Sequence, residues 1–95
     1  MIEFEWNPQK AVYNKRKHGV AFTEAATVFR DDLSVTVYDP DHSIDEDRYI
    51  TIGWSQQHRL LMVSHTERGD RIRIISARDE LTRAERETYE EEQHI

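Results

Sequence analysis

Three strand-like runs follow one another through the second half of the chain, with only four residues between neighbours. They span residues 48–54, 59–66 and 71–78, and apolar and β-branched residues dominate them. Connections of four residues are short enough for antiparallel hairpins. The pattern therefore predicts an antiparallel meander, with its last two strands at the centre of the sheet.

The first half of the chain predicts one strand followed by two helices. Residues 2–6 alternate apolar and acidic side chains, as in a short strand. Asn7 followed by Pro8 predicts a helix start, and Gly19 is well placed as a left-handed C-terminal residue, so the helix should end near His18. A second, shorter helix is expected after Thr23. Its inward face should consist of Ala25, Val28 and Phe29.

Two further elements complete the expected order. Residues 33–38 alternate like a half-buried strand, and residues 39–47 form a polar loop that contains five acidic residues. Thr82 and Glu85 have the spacing of a capping box, which predicts a terminal helix with a thin apolar stripe. The expected fold is a mixed α/β (α+β) domain with a mainly antiparallel sheet, two N-terminal helices on one face and a C-terminal helix. Its core should include Phe4, Ala11, Val28, Phe29, Val35, Ile52, Leu61, Val63, Ile72 and Ile74.

Length and cysteine content narrow the classes of protein that fit. A chain of 95 residues has room for one hydrophobic core, so residues 1–95 are expected to form a single domain. The absence of cysteine excludes disulfides, thiolate catalysis and Cys-based zinc sites. No apolar stretch reaches the roughly 18 residues of a membrane helix or resembles a signal peptide. We expect a cytoplasmic protein without a role at the membrane.

The net charge of -6 argues against a nucleic-acid partner until its distribution is considered. Residues 79–95 carry seven acidic residues against two arginines, so most of the negative charge lies in the tail. The rest of the chain is almost neutral and contains two basic patches. The first consists of Lys10, Lys15, Arg16 and Lys17, and the second of Arg68, Arg71, Arg73 and Arg78.

Histidines are the first candidates for proton transfer near neutral pH. Of the five, His42 in the acidic loop, His58 in a turn and His94 near the chain end are most simply read as surface residues. His18 ends the basic helix, where the helix dipole favours a positive charge, and His65 lies in a central strand close to several arginines. His18 and His65 are therefore the candidate acid and base, although each on its own is more often structural.

Metal and cofactor sites have weaker support in the sequence. The acidic loop offers many oxygens, but it is more simply read as a solvated turn, so no metal is predicted. The signatures of zinc hydrolysis, phosphate-binding glycine loops and serine hydrolysis are missing from the sequence, and no cofactor is expected.

The arginines of the last strand leave two interpretations open. Arg71 and Arg73 share a face by the period of two, whereas Arg78 falls on the other face unless a bulge intervenes near Ser76 and Ala77. The arginines either form surface ion pairs with Glu and Asp or create a face that binds a phosphodiester.

Three stretches together resemble the BrnT family of ribonuclease toxins. The first is FEWNPQKA at residues 4–11 with Asn14 and KHGVAFTEA at residues 17–25, and the second is RYITIGWS at residues 48–55 with RLLMV at residues 59–63. The third is IRIISAR at residues 72–78, followed by Arg83, Glu85, Arg86 and Tyr89. The chain departs from the family pattern at His58, where glycine is common, and at Asp79 and Glu80, where the family is usually basic.

This resemblance implies a RelE-like fold and RNA cleavage that inhibits translation. It also implies a BrnA-like antitoxin with a ribbon-helix-helix domain, through which alone the complex would contact operator DNA. A homodimer within that complex is a further alternative. The competing hypothesis is a non-catalytic module that only binds an antitoxin or acts as a corepressor.

A site for metal-independent cleavage of RNA follows from the basic residues. In this prediction Arg73 and Arg78 clamp a phosphate, one of His18 and His65 acts as acid or base with help from Lys17, and Arg71 adds an RNA contact. The resemblance supports all the converging positions except His65, which rests on chemistry alone. The side chains expected to converge are Lys17, His18, Arg48, His65, Arg73 and Arg78.

Overall fold

A five-stranded sheet organises the computed structural model, which describes residues 2–92. The strands are β1 (Glu3–Glu5), β2 (Val35–Tyr38), β3 (Arg48–Trp54), β4 (Leu60–Arg68) and β5 (Arg71–Arg78), in the spatial order β1-β5-β4-β3-β2. Strands β2 to β5 form the antiparallel meander, and β4 and β5 are interior strands, as the sequence predicts. Strand β1 joins β5 in parallel, a pairing for which the sequence has no local signal.

Helices α1 (Pro8–His18) and α2 (Phe22–Thr27) cover one face of this sheet. The Asn7 side chain accepts hydrogen bonds from two backbone N–H groups at the start of α1, and Gly19 ends the helix with a positive φ of 72°. Helix α2 begins two residues earlier in the sequence than its expected start, because the chain turns at Ala21 rather than at Thr23. A 3-10 turn at Val28–Arg30 follows α2.

The core between these helices and the sheet contains most of the buried hydrophobic residues. Its buried members are Val20, Phe22, Ala25, Val28, Leu61, Val63, Ile74 and Ala77. Phe4, Ala11 and Phe29 pack against it partly buried, in agreement with the expected core. We call this side of the sheet the helix-pair face.

Helix α3 (Arg83–Glu92) packs on the opposite side of the sheet, which we call the groove face. Its Tyr89 is buried with Ile52, Leu60 and Met62. The thin apolar stripe expected for this helix is thus sufficient to seal a second, smaller core. None of the helices within residues 2–92 is long and apolar enough to cross a membrane.

A β-bulge in β5 changes which of its side chains share a face. Ser64 pairs with Ser76 and His65 with Ile74, so Ile75 is an extra residue without a partner in β4. Ile74 and Ala77 consequently both reach the core of the helix-pair face although they are three residues apart. The bulge lies next to Ser76, close to where the sequence allows one.

Candidate functional site

An open groove of about 450 Å³ lies on the groove face, between α3 and the loop that joins β2 to β3. Arg48 of β3 and Arg78 of β5 both border it, and Ser64 and Ser76 line it as well. The other lining residues are Asp39, Asp41, His42, Ile50, Met62, Ile75 and Glu85. The groove therefore combines cationic, hydroxyl and acidic groups.

The bulge at Ile75 determines on which face of the sheet the Arg78 side chain lies. Because β5 carries one extra residue there, Arg78 returns to the face that also carries Arg71 and Arg73. Of the predicted site residues, the structure brings Arg48 and Arg78 into one groove and leaves Arg71 and Arg73 farther along the same face of β5.

Each predicted arginine forms an ion pair with a carboxylate. Arg71 contacts Glu3 at 3.2 Å and Arg73 contacts Glu5 at 2.7 Å, across the β1–β5 pair. Arg48 lies 3.4 Å from Glu46. The ion-pair interpretation of these arginines thus describes their state in the free chain.

The Arg78 ion pair is the most developed of the four. Its guanidinium donates two hydrogen bonds to Glu85, at 2.9 and 2.7 Å, in a bidentate arrangement. Burial by itself raises the pKa of the Glu85 carboxyl, but hydrogen bonds from Arg78 and Thr82 outweigh it and lower that pKa. The Glu85 carboxylate of α3 is therefore hydrogen-bonded to Arg78, which is the arginine best placed to hold a phosphate.

His65 lies on the helix-pair face, away from the groove. The residue is 3% exposed, and its ring packs against Phe29 and Tyr49 with Nε2 2.7 Å from the Thr51 hydroxyl. Burial lowers the pKa of His65 to about 4. The sheet separates this ring from Arg78, so the structure does not bring His65 together with the arginines.

Lys17 and His18 also remain apart from the groove. They form the last turn of α1, on the helix-pair side of the sheet, where the Lys17 ammonium lies 5.7 Å from the Tyr13 ring centre. His18 is half-buried, and its Nδ1 has no hydrogen-bond partner among residues 2–92. The six side chains expected to converge are therefore divided between two sides of the sheet.

His42 is the groove residue that the sequence interpretation passed over. A 3-10 turn at Pro40–His42 brings its Nδ1 to 2.8 Å from Asp39 Oδ2. The signal available in the sequence was the spacing of Asp39 and His42 around Pro40, which suits a short turn. Within the described part of the chain, no cluster of three or more His, Asp or Glu side chains is arranged to hold a metal ion.

Comparison with solved structures shows which known fold this chain shares. The crystal structure of the Brucella abortus ribonuclease toxin BrnT aligns with a TM-score of 0.62 at 20% sequence identity, over 86% of this chain and 100% of that one. Since the identity is low, this match establishes the fold alone. The chain has the fold of a small ribonuclease toxin.

The family follows from the sequence. The family model described as "Ribonuclease toxin, BrnT, of type II toxin-antitoxin system" matches residues 6–87. This protein belongs to the BrnT family of ribonuclease toxins. Among curated proteins, none matches the chain significantly.

Proposed function

We propose that this protein is a metal-independent endoribonuclease that inhibits translation by cutting RNA in the groove beside α3. The observation that carries the proposal is the meeting of Arg48 and Arg78 in one groove with the Ser64 and Ser76 hydroxyls. Guanidinium and hydroxyl groups are donors that suit the oxygens of a phosphodiester. Membership of a ribonuclease toxin family supports RNA as the substrate.

The proposed reaction is attack of a ribose 2′-hydroxyl on the adjacent phosphorus. Negative charge develops on the phosphoryl oxygens in the transition state, and preorganised cationic donors stabilise it most when they are already in position. Arg78 would hold two of these oxygens after exchanging the Glu85 carboxylate for the phosphate. Arg48 would support the same group from β3, since it borders the same groove as Arg78.

The proposed partner is a BrnA-like antitoxin with a ribbon-helix-helix domain, which would cover the groove and contact operator DNA on behalf of the complex. Membership of a type II toxin-antitoxin family supports an antitoxin as the partner. The proposed place of action is the cytoplasm, where the RNA is translated. A homodimer of the toxin within that complex is the proposed alternative to a single copy, and the mass of the complex in solution distinguishes the two.

Cleavage of a messenger RNA by the purified chain in excess chelator tests the proposal. We expect Arg48→Ala and Arg78→Ala to reduce the rate by about 100-fold while remaining folded. Arg83→Ala is the matched control, because the Arg83 side chain is 93% exposed on α3 and forms its ion pair with Glu87 one turn away. Loss of activity in chelator would contradict the metal-independent reaction, and undiminished cleavage by both groove variants would contradict the site.

The same assay tests the remaining residues of the predicted site. Four other predicted site residues lie outside the groove, namely Lys17, His18, Arg71 and Arg73. Reduced cleavage by a folded alanine variant of any of them would show that the RNA contact extends beyond the groove. The second candidate function, a module that binds the antitoxin without catalysis, is favoured by the carboxylate partner of every predicted arginine. A folded parent chain that binds its antitoxin and cuts no RNA would support it.

A further inference from the structure

Asp39 and His42 form a pair that faces the groove. His42 Nδ1 lies 2.8 Å from Asp39 Oδ2, which leaves Nε2 of the same ring for another partner. The Asp39 side chain is 12% exposed, whereas the His42 side chain is 68% exposed and open to a ligand. Both residues line the groove together with Arg48 and Arg78.

Hydrogen bonds at the ends of the loop hold this pair beside Arg48. The Asp39 N–H donates to the Arg48 carbonyl at 2.8 Å, and the Arg48 N–H donates to the Ser43 hydroxyl at 2.9 Å. The Ser43 hydroxyl in turn donates to the Asp39 carbonyl at 2.6 Å. A side chain held on a closed loop keeps its position relative to the strand that closes it.

The other histidines in residues 2–92 are placed where they do not reach a ligand in the groove. His65 is buried on the opposite face of the sheet, His18 ends α1, and His58 lies in the β3–β4 turn. Among the described histidines, His42 is therefore the one that shares a cavity with the arginines.

We propose that His42 is the general base of the RNA cleavage and that Asp39 is its positioning residue. This inference rests on the proposed ribonuclease function. His42 Nε2 would accept the 2′-hydroxyl proton while the bond from O2′ to phosphorus forms. The bond from phosphorus to the 5′-oxygen then breaks, and water supplies the proton that this oxygen takes. The products are a 2′,3′-cyclic phosphate and a 5′-hydroxyl.

Asp39 would act through the ring rather than on the RNA. By accepting the hydrogen bond from Nδ1–H, it selects the tautomer whose Nε2 carries the free lone pair, and it stabilises the ring after the proton has been accepted. This is the arrangement of a base oriented by a third group.

The test compares cleavage of one RNA by the parent chain, His42→Ala and His42→Gln. We expect both variants to stay folded and to lose about 100-fold or more in kcat, since general base catalysis typically contributes this much. Glutamine keeps a polar group of similar reach but does not accept the proton. Added imidazole should restore part of the His42→Ala activity and none of the His42→Gln activity. The matched control is His58→Asn, because His58 is an exposed histidine with a φ of 63°, which asparagine tolerates.

Comparing Asp39→Asn with Asp45→Asn distinguishes the positioning of the His42 ring from a general effect of negative charge in the loop. Both remove one acidic group from the same loop, but Asp45 does not line the groove. We expect Asp39→Asn alone to lower kcat, by roughly 10-fold or more, with KM unchanged. Equal effects of the two variants would overturn the role of Asp39.

The outcomes distinguish this inference from the proposed function. If the parent chain cuts RNA and His42→Gln cuts it equally fast, the inference is overturned and the ribonuclease function stands. If His42→Ala is slow but imidazole restores nothing, His42 is not the base. If the parent chain cuts no RNA under any of these conditions, the proposed function fails and the inference falls with it.

Discussion

At the scale of single residues, His65 illustrates how burial changes the chemistry of a side chain. Its position in a central strand near arginines suggested catalysis, whereas its ring lies between Phe29 and Tyr49 and bonds to Thr51. A buried imidazole without a carboxylate partner is stable only in the neutral form. Its contribution to folding is therefore expected to depend on pH.

We expect His65 to make the protein less stable as the pH falls from about 6.5 to about 4. The pKa of His65 is lowered to about 4 in the folded chain, so the unfolded chain binds the proton first in this window. The neutral ring contributes about 3 kcal/mol to the free energy of unfolding above pH 6.5, and this contribution is lost as the pH falls to about 4. Urea unfolding at several pH values checks this, with His65→Gln as the variant that lacks the titration. Identical pH profiles for the two proteins would contradict the assignment.

Asn14 is a second residue whose role depends on a distant partner. Strand β1 covers only the first part of β5, and beyond it the Asn14 side chain accepts a hydrogen bond from the Ala77 N–H and donates one to the Ala77 carbonyl. Its amide also donates to the Val20 carbonyl. A buried side chain thus completes the edge of the sheet where no strand is present.

We expect Asn14→Leu to lower the free energy of unfolding by about 3 kcal/mol. The substitution leaves the Ala77 N–H and carbonyl buried without partners, and each unsatisfied group costs about 1–3 kcal/mol. Urea denaturation measures the change. Val12→Ala, an exposed position on the same helix, should stay within about 0.5 kcal/mol of the parent chain. Equal stability of the two variants would contradict the stabilising role of the hydrogen bonds between Asn14 and the Ala77 backbone.

At the scale of elements, α3 both packs on the sheet and binds an arginine of β5. Tyr89 seals the smaller core, while Glu85 both accepts a hydrogen bond from the Thr82 N–H at 2.8 Å and holds Arg78. The capping box is thus confirmed, and its glutamate has a second partner in β5. The helix therefore competes with any anion for Arg78.

We expect Glu85→Gln to raise RNA affinity by about fivefold, equivalent to about 1 kcal/mol for a partly buried ion pair. The reason is that Arg78 no longer exchanges a carboxylate for the phosphate. Binding of an RNA that lacks the attacking 2′-hydroxyl measures this without cleavage. Glu87→Gln removes the same charge from the exposed side of α3 and is the control. If the two variants gain equally, the effect comes from net charge and not from Arg78.

At the scale of the whole molecule, one ion-pair network joins elements that are distant in sequence. Glu24 of α2 accepts two hydrogen bonds from Arg59, which also donates to the Gly19 carbonyl and to Asp79. The hydrogen bonds that Glu24 accepts from Arg59 lower the pKa of its carboxyl, and the Ser55 hydroxyl adds to the effect. The network ties both N-terminal helices to the β3–β4 turn and to the end of β5.

We expect expression of this protein alone to slow cell growth, and co-expression of the antitoxin from the same operon to restore it. An antitoxin that covers the groove excludes RNA, so cleavage by the purified chain should also fall to background at a stoichiometric ratio. Growth curves and RNA cleavage measure the two effects. Toxicity that no protein of the operon relieves would contradict the pairing.

Local patterns in the sequence determined most of the elements. The bounds expected for α1, β3 and β5 agree with the structure, because caps, turns and alternation act between neighbours in the chain. The start of α2 was misplaced by a weak capping signal, and β2 is shorter than the run that predicted it. The resemblance to the BrnT family, confirmed by the family model, was likewise readable from the sequence.

Tertiary structure alone decided how these elements combine into a site. The parallel β1–β5 pairing, the bulge at Ile75 and the division of the predicted residues between two faces depend on partners that are distant in the chain. A one-residue shift in strand register moves a side chain to the opposite face, so alternation by itself did not reveal that Arg78 would join Arg48. Tertiary structure likewise buries His65 on the face opposite the groove and places His42, on the β2–β3 loop, beside the arginines.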